Sequence, residues 1–197
     1  MKQLQIERIT IGTFEVVSDK LVVSDPCYEL GTWCMGMIPN VKPGLWTANI
    51  GIADMDEFGK RIAYLSAFHQ GSPALQKLKA CPASFEVGVD SGQAGIFDCG
   101  HYQDESVIGD QAPTDFGSRW YSFCCHQTLD NEYHAGLIPH GVVASSGFGD
   151  GSYSCYYYTD WGNDATSWGT IIDFQLIEMR QIMRHLVDRQ AHGGLAI

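Results

Sequence analysis

Ten short segments of this chain alternate apolar with polar residues, or run apolar, between glycine and proline punctuation. They are QIERITIGTFEVV, KLVVSD, GLWTANIGIAD, RIAYLSAFH, SFEVGVD, AGIFD, RWYSFCCHQTL, GVVASSG, SYSCYYY and GTIIDF. Period-two alternation is the signature of a strand with one face in a core. In RWYSFCCHQTL it puts Tyr121, Phe123, Cys125 and Leu129 on one face. Strands this closely spaced, without ten-residue helices between them, predict a mainly β (α+β) fold: an antiparallel sandwich or barrel-like core rather than βαβ units.

Two helices interrupt the pattern. Ser72-Pro73 followed by ALQKLKA reads as an N-cap, a proline at the first helical position and two turns, near residues 72–80. QLIEMRQIMRHLVDRQAHGG carries Leu176, Met179, Ile182, Met183, Leu186 and Val187 at the 3.6-residue period, with Glu178 early, Arg184 and Arg189 late, and Gly193-Gly194 as a stop. This predicts an amphipathic helix near 175–191, its stripe packed on a β-rich domain of residues 1–174.

Charge narrows the partners. The chain of 197 residues carries a net charge of −11, and Asp98 to Glu178 holds twelve acidic residues against one basic, Arg119. An acidic half repels a phosphate backbone, so nucleic acid is not expected. No run approaches the roughly 18 apolar residues of a membrane span. MKQLQIERIT has neither the apolar core nor the cleavage signature of a secretory signal. Seven cysteines (27, 34, 81, 99, 124, 125 and 155) follow no disulfide-scaffold spacing and read as reduced thiols. A cytoplasmic protein is expected.

Most chemical motifs fail on inspection. Gly147, Gly149 and Gly151 give G-x-G-x-G followed by SYSCYYY, a strand, whereas a phosphate cradle needs a helix N-terminus there. DMDEFGK at Asp54 and DWGNDA at Asp160 lack the ligands of a calcium-binding helix–loop–helix loop at several positions, and both read as turns. There is no C-x-x-C and no H-E-x-x-H. Cys124, Cys125 and His126 are adjacent on the expected strand and diverge, while Cys99-Gly100-His101 is a metal half-site without a second half. His101, His126, His134 and His140 are the histidines available as a general base, and no spacing favours any of them.

What remains is aspartate at strand ends, each in a tight turn: SDP at Asp25, VDSG at Asp90, IFDCG at Asp98 and FGDGS at Asp150. Such residues ordinarily cap their own turn by accepting N–H bonds two residues on. Gathered at one end of a sandwich they would instead repel, unless Ca²⁺ or Mg²⁺ sat among them. For the last turn the expectation is that Gly149 and Gly151 supply positive φ or close approach and that Asp150 caps.

VSDPCYE (23–29), TWC (32–34), KPGLW (42–46), VGVDSGQAGIFD (87–98) and SSGFGDGSY (145–153) occur in that order. Together, over about residues 19–174, they resemble an uncharacterised domain family of bacteria and their phages known as domain of unknown function 4241. The resemblance implies a β-rich intracellular domain, often phage-encoded, and carries over no activity and no catalytic residue. It favours a shared constellation of the motif turns, with Asp25, Tyr28, Asp90, Ser91, Gln93, Asp98, Gly149, Asp150 and Tyr153 as its candidate members. The expected function is an accessory binding protein whose Gly/Asp-rich turns form a surface for a ligand, a cation or a partner, the partner being a host or bacterial protein, a small ligand or a second copy. The alternatives are a metal-dependent hydrolase with Asp25, Asp90, Asp98 and Asp150 as ligands, and a structural assembly protein.

Overall fold

The computed structural model describes residues 5–160 and 166–192. Among these residues, eleven strands form two antiparallel sheets. The larger has the order β1 (Ile6–Val16), β4 (Gly44–Asp54), β5 (Lys60–His69), β11 (Ser167–Asp173), β10 (Gly151–Thr159) and β6 (Lys79–Val89). The smaller has the order β3 (Gly36–Ile38), β2 (Leu21–Ser24), β7 (Gln93–Asp98), β9 (Gly141–Ser145) and β8 (Ala135–Ile138). They stack as an open sandwich, not a closed barrel. Trp46, Ile50 and Leu65 of one sheet meet Val23, Ile96 and Val142 of the other in the main core.

Each sheet is also covered on its outer face. Helix α1 (Arg119–Leu129) packs Trp120 and Cys124 against Val22, Phe97 and Val143 of the smaller sheet. Helix α2 (Met179–His192) packs Ile182 and Leu186 against Ala63, Tyr64, Tyr158 and Ile171 of the larger. Central strands buried on both faces read as unbroken apolar runs, which is why β7 and residues 62–67 of β5 are buried throughout. The stripe on α2 does what its periodicity predicts; Gly193-Gly194 lie outside the described residues. Among those described, no helix is long and apolar enough to cross a membrane.

Two sequence expectations fail. RWYSFCCHQTL is helix α1, not a strand. Ser118 caps it by accepting from the Tyr121 N–H, and Trp120, Cys124 and Thr128, four residues apart, make its buried face. Leu129, placed on the buried face by the strand reading, is 60% exposed. The helix near 72–80 shrinks to one 3-10 turn, Leu75–Lys77. The Ser72 hydroxyl bonds the Pro73 carbonyl instead of capping. Lys79 already pairs with Thr159, so strand pairing overrides a weak helical propensity. The turn at Asp54–Gly59 joins β4 to β5, as its sequence suggested; DWGNDA lies outside the described residues beyond Asp160.

Candidate functional site

Register brings three motif turns to one end of the sandwich. Ser24 pairs with Gly95, so the turn after β2 lies beside the turn before β7. Gln93 pairs with Ser145, which places the turn after β9 there too. Gly151 pairs with Val89, so Asp150 and Asp90 are the next residues out from that pair. Asp98 is excluded by the same geometry: it pairs with Leu21, at the opposite end of β2. The four aspartates therefore do not converge.

Asp25 organises the cluster. It is fully buried, and its carboxylate accepts from the Cys27 N–H (2.9 Å) and Ser91 hydroxyl (2.6 Å) on Oδ1, and from the Asp90 N–H (2.9 Å) and Ser91 N–H (2.7 Å) on Oδ2. Four donors fill the four lone-pair sites of a carboxylate, leaving none for a cation. The Tyr28 hydroxyl donates to Asp90 at 2.5 Å, and this bond holds the phenol well above its ordinary range. The Tyr102 hydroxyl and the Gln103 amide both donate to the Tyr28 carbonyl, fixing the SDPCY turn from behind. Desolvation, then the hydrogen bond to Asp25, pushes the Cys27 thiol up to about 12, which favours the protonated thiol at neutral pH.

The glycine-rich turn answers its own question. Ser146 donates its N–H to the Gly92 carbonyl, tying this turn to DSG. The Ser146 hydroxyl donates to the Gly149 carbonyl (2.8 Å), and the Tyr153 hydroxyl donates to the carbonyls of Ser146 (3.1 Å) and Gly149 (2.5 Å). Gly147 and Gly149 take φ of +53° and +107°, and Gly149 has open space where a side chain would go, so conformation alone demands glycine there. Two expectations are corrected. Gly151 needs no positive φ and begins β10. Asp150 is exposed and accepts no hydrogen bond among the described residues; Ser146 and Tyr153 do the capping.

Gln93 is buried, its amide donating to Cys125 Sγ and accepting from the Thr128 hydroxyl, which joins the smaller sheet to α1. Asp98, also buried, accepts on Oδ1 from the N–H groups of Val17 and Ser18 and from the Ser18 hydroxyl; its Oδ2 has no partner. Among the described residues no group of three or more His, Cys, Asp or Glu is placed to hold a metal ion. All seven cysteines are free. Cys124 and Cys125 are buried on α1 while the neighbouring His126 ring reaches the exposed Asp115 and Asp130.

Sequence reasoning overlooked the aromatic residues around these turns. Trp33, in the β2–β3 loop, is 92% exposed, and the carbonyl of Cys34 beside it accepts the Gly88 N–H two residues before Asp90. Phe148 is 57% exposed, stacks edge-on with Phe58 at 5.7 Å, and has the Arg61 guanidinium 5.9 Å from its ring centre. The available signal was a large aromatic inside a turn, in GTWC and SGFGDG, where no core face awaits it. Set against family models, curated proteins and solved structures, the chain matches none.

Proposed function

We propose that this protein is a binding protein that presents the end of the sandwich holding SDPCY, DSGQ and GFGDGSY to another protein. The observation that supports the reading is the division of labour among its residues. Asp25, Ser91, Ser146 and Tyr153 are consumed in holding the turns together. Trp33, Phe148, Asp90 and Asp150 stand exposed around them. Aromatic residues are enriched at protein interfaces and tryptophan is among the residues that dominate their affinity, while carboxylates at the rim steer a partner of opposite charge. An accessory role inside a bacterial or phage-infected cell belongs to the same proposal and rests on the motif resemblance alone.

The cation reading draws less support, because a ligand set built on Asp25 would have to displace four hydrogen bonds. Affinity capture from bacterial lysate should be compared between wild type and the double variant Trp33→Ser/Phe148→Ser, both shown to melt alike. The proposal expects a protein retained by wild type and lost with the variant. Identical capture by both would refute it.

A further inference from the structure

Thr47 and Asn49 alternate with Trp46, Ala48 and Ile50 along β4, so they turn away from the main core and lie on the outer face of the larger sheet. Thr10 of β1 pairs with Asn49, and Arg8 stands two residues along on the same face. Asn49 is 1% exposed, and its Oδ1 accepts from Arg8 Nε (3.1 Å) and the Thr10 hydroxyl (2.8 Å). Arg8 Nε can only donate, which fixes the amide oxygen on that side and turns the NH₂ the other way. Among the described residues that NH₂ has no acceptor, and neither terminal nitrogen of the Arg8 guanidinium has a hydrogen-bond or ion-pair partner. Both residues line a cavity of about 250 Å³ between this face, the turn at Leu75 and α2. His69 shapes its rim. Its Nδ1 accepts from the Gly71 N–H (2.9 Å), so the ring is neutral and Nε2 donates to the Pro43 carbonyl (3.1 Å). Arg8 is therefore the one charged group on the cavity wall among the described residues. Buried amide groups are ordinarily paired, so an open donor beside an open guanidinium is where an anionic group fits.

We propose that this cavity binds a small organic carboxylate, held by the Arg8 guanidinium and the Asn49 amide. A planar carboxylate takes two parallel N–H bonds from the guanidinium fork, a match of geometry as well as charge. Phe68, Leu75 and Leu186 give an apolar wall for the rest of the molecule, which an inorganic anion would leave uncovered. The volume falls just under the roughly 300–1,000 Å³ of sites for drug-sized ligands, so a short aliphatic or single-ring acid suits it. The acidity of the chain does not oppose an anion here, because no carboxylate lines the cavity among the described residues. The site is separate from the proposed docking surface: His69 and the turn carrying Phe58, whose ring meets Phe148, lie at opposite ends of β5.

The test is titration of the ¹⁵N-labelled full chain with benzoate and hexanoate at constant ionic strength, beside benzamide, acetate and inorganic phosphate. The readout is the Asn49 side-chain amide and the Arg8 Nε–H in ¹H–¹⁵N spectra. Both acids should shift these two signals together and to saturation, binding about tenfold or more tightly than benzamide, which lacks the charge, or acetate and phosphate, which lack the apolar body. Arg8→Gln, checked for an unchanged circular dichroism spectrum, should lose about tenfold or more in benzoate affinity. Should that variant misfold, the comparison of benzoate with benzamide on wild type stands alone as the test. No saturable shift with either acid, equal binding of benzamide, acetate or phosphate, or unchanged benzoate binding in Arg8→Gln would overturn the site.

Discussion

The Asp25 carboxylate holds Ser91 by both its donors, taking the backbone N–H at 2.7 Å and the hydroxyl at 2.6 Å. The two residues are far apart in sequence, and β2 and β7 run antiparallel between them. Their contact converts a side chain that could cap its own turn into a clamp across two motif segments. The local cap survives as the bond from the Cys27 N–H.

Asp25→Asn should therefore be costly despite its small change in shape. Whichever way the amide is turned, its NH₂ faces a backbone N–H that has lost its acceptor. We expect a loss of about 2–4 kcal/mol in urea denaturation, the cost of a broken charge-assisted bond and an unsatisfied buried donor. Asp98→Asn should cost less, since all three of that residue's bonds fall on one oxygen. Equal losses for the two would count against the clamp.

At the glycine-rich turn the two flanking glycines should behave differently. Gly149→Ala must hold φ near +107°, and a loss of about 1–2 kcal/mol is expected. Gly151→Ala sits at the start of a strand, with the Tyr153 ring at an ordinary 3.4 Å from the new methyl carbon, and should change stability by less than about 0.5 kcal/mol. Thermal melts of the pair would settle the order.

Asp150 provides a test of the cation reading. Asp150→Asn removes no hydrogen bond, so its melting temperature should match wild type. Neither Ca²⁺ nor Mg²⁺ should raise the wild-type value, because a cation bound only by the folded state would stabilise it by mass action. A rise in wild type that Asp150→Asn abolishes would restore the aspartate metal site.

pH dependence centres on His126, whose ring bridges Asp130 (2.5 Å) and Asp115 (3.1 Å) on the surface of α1. Asp130 first, then Asp115, raises its midpoint above the ordinary 6.5. A base with a raised folded midpoint contributes stability that is complete below 6.5 and disappears as pH rises through the folded value. Proton NMR titration should find the raised midpoint, and Asp130→Asn should lower it more than Asp115→Asn does. A midpoint at or below 6.5 would contradict the bridge.

Much of the fold was legible because punctuation and alternation are local signals. GLWTANIGIAD and SFEVGVD declare strands wherever they sit. RWYSFCCHQTL misled because its aromatic and cysteine content imitates a strand, while its helical evidence lies in the spacing of Trp120, Cys124 and Thr128 and in the Ser118 cap. β3 and β8, three and four residues long, carry too few residues to show a period. The turns of the candidate site could be read one by one from their Gly, Asp and Ser residues. Their grouping could not, because it depends on strand order: Asp25 and Asp98 look alike in sequence and end at opposite ends of the smaller sheet.

The clamp itself is most directly measured by a double-mutant cycle of Asp25→Asn and Ser91→Ala in urea denaturation. Ser91→Ala removes the hydroxyl bond to Oδ1 but keeps the backbone bond to Oδ2. If the two residues act as one unit, the double variant should lose less than the sum of the single losses, with a coupling energy of about 1–2 kcal/mol. Additive losses, with no coupling beyond error, would mean that Asp25 does not hold the motif turns together.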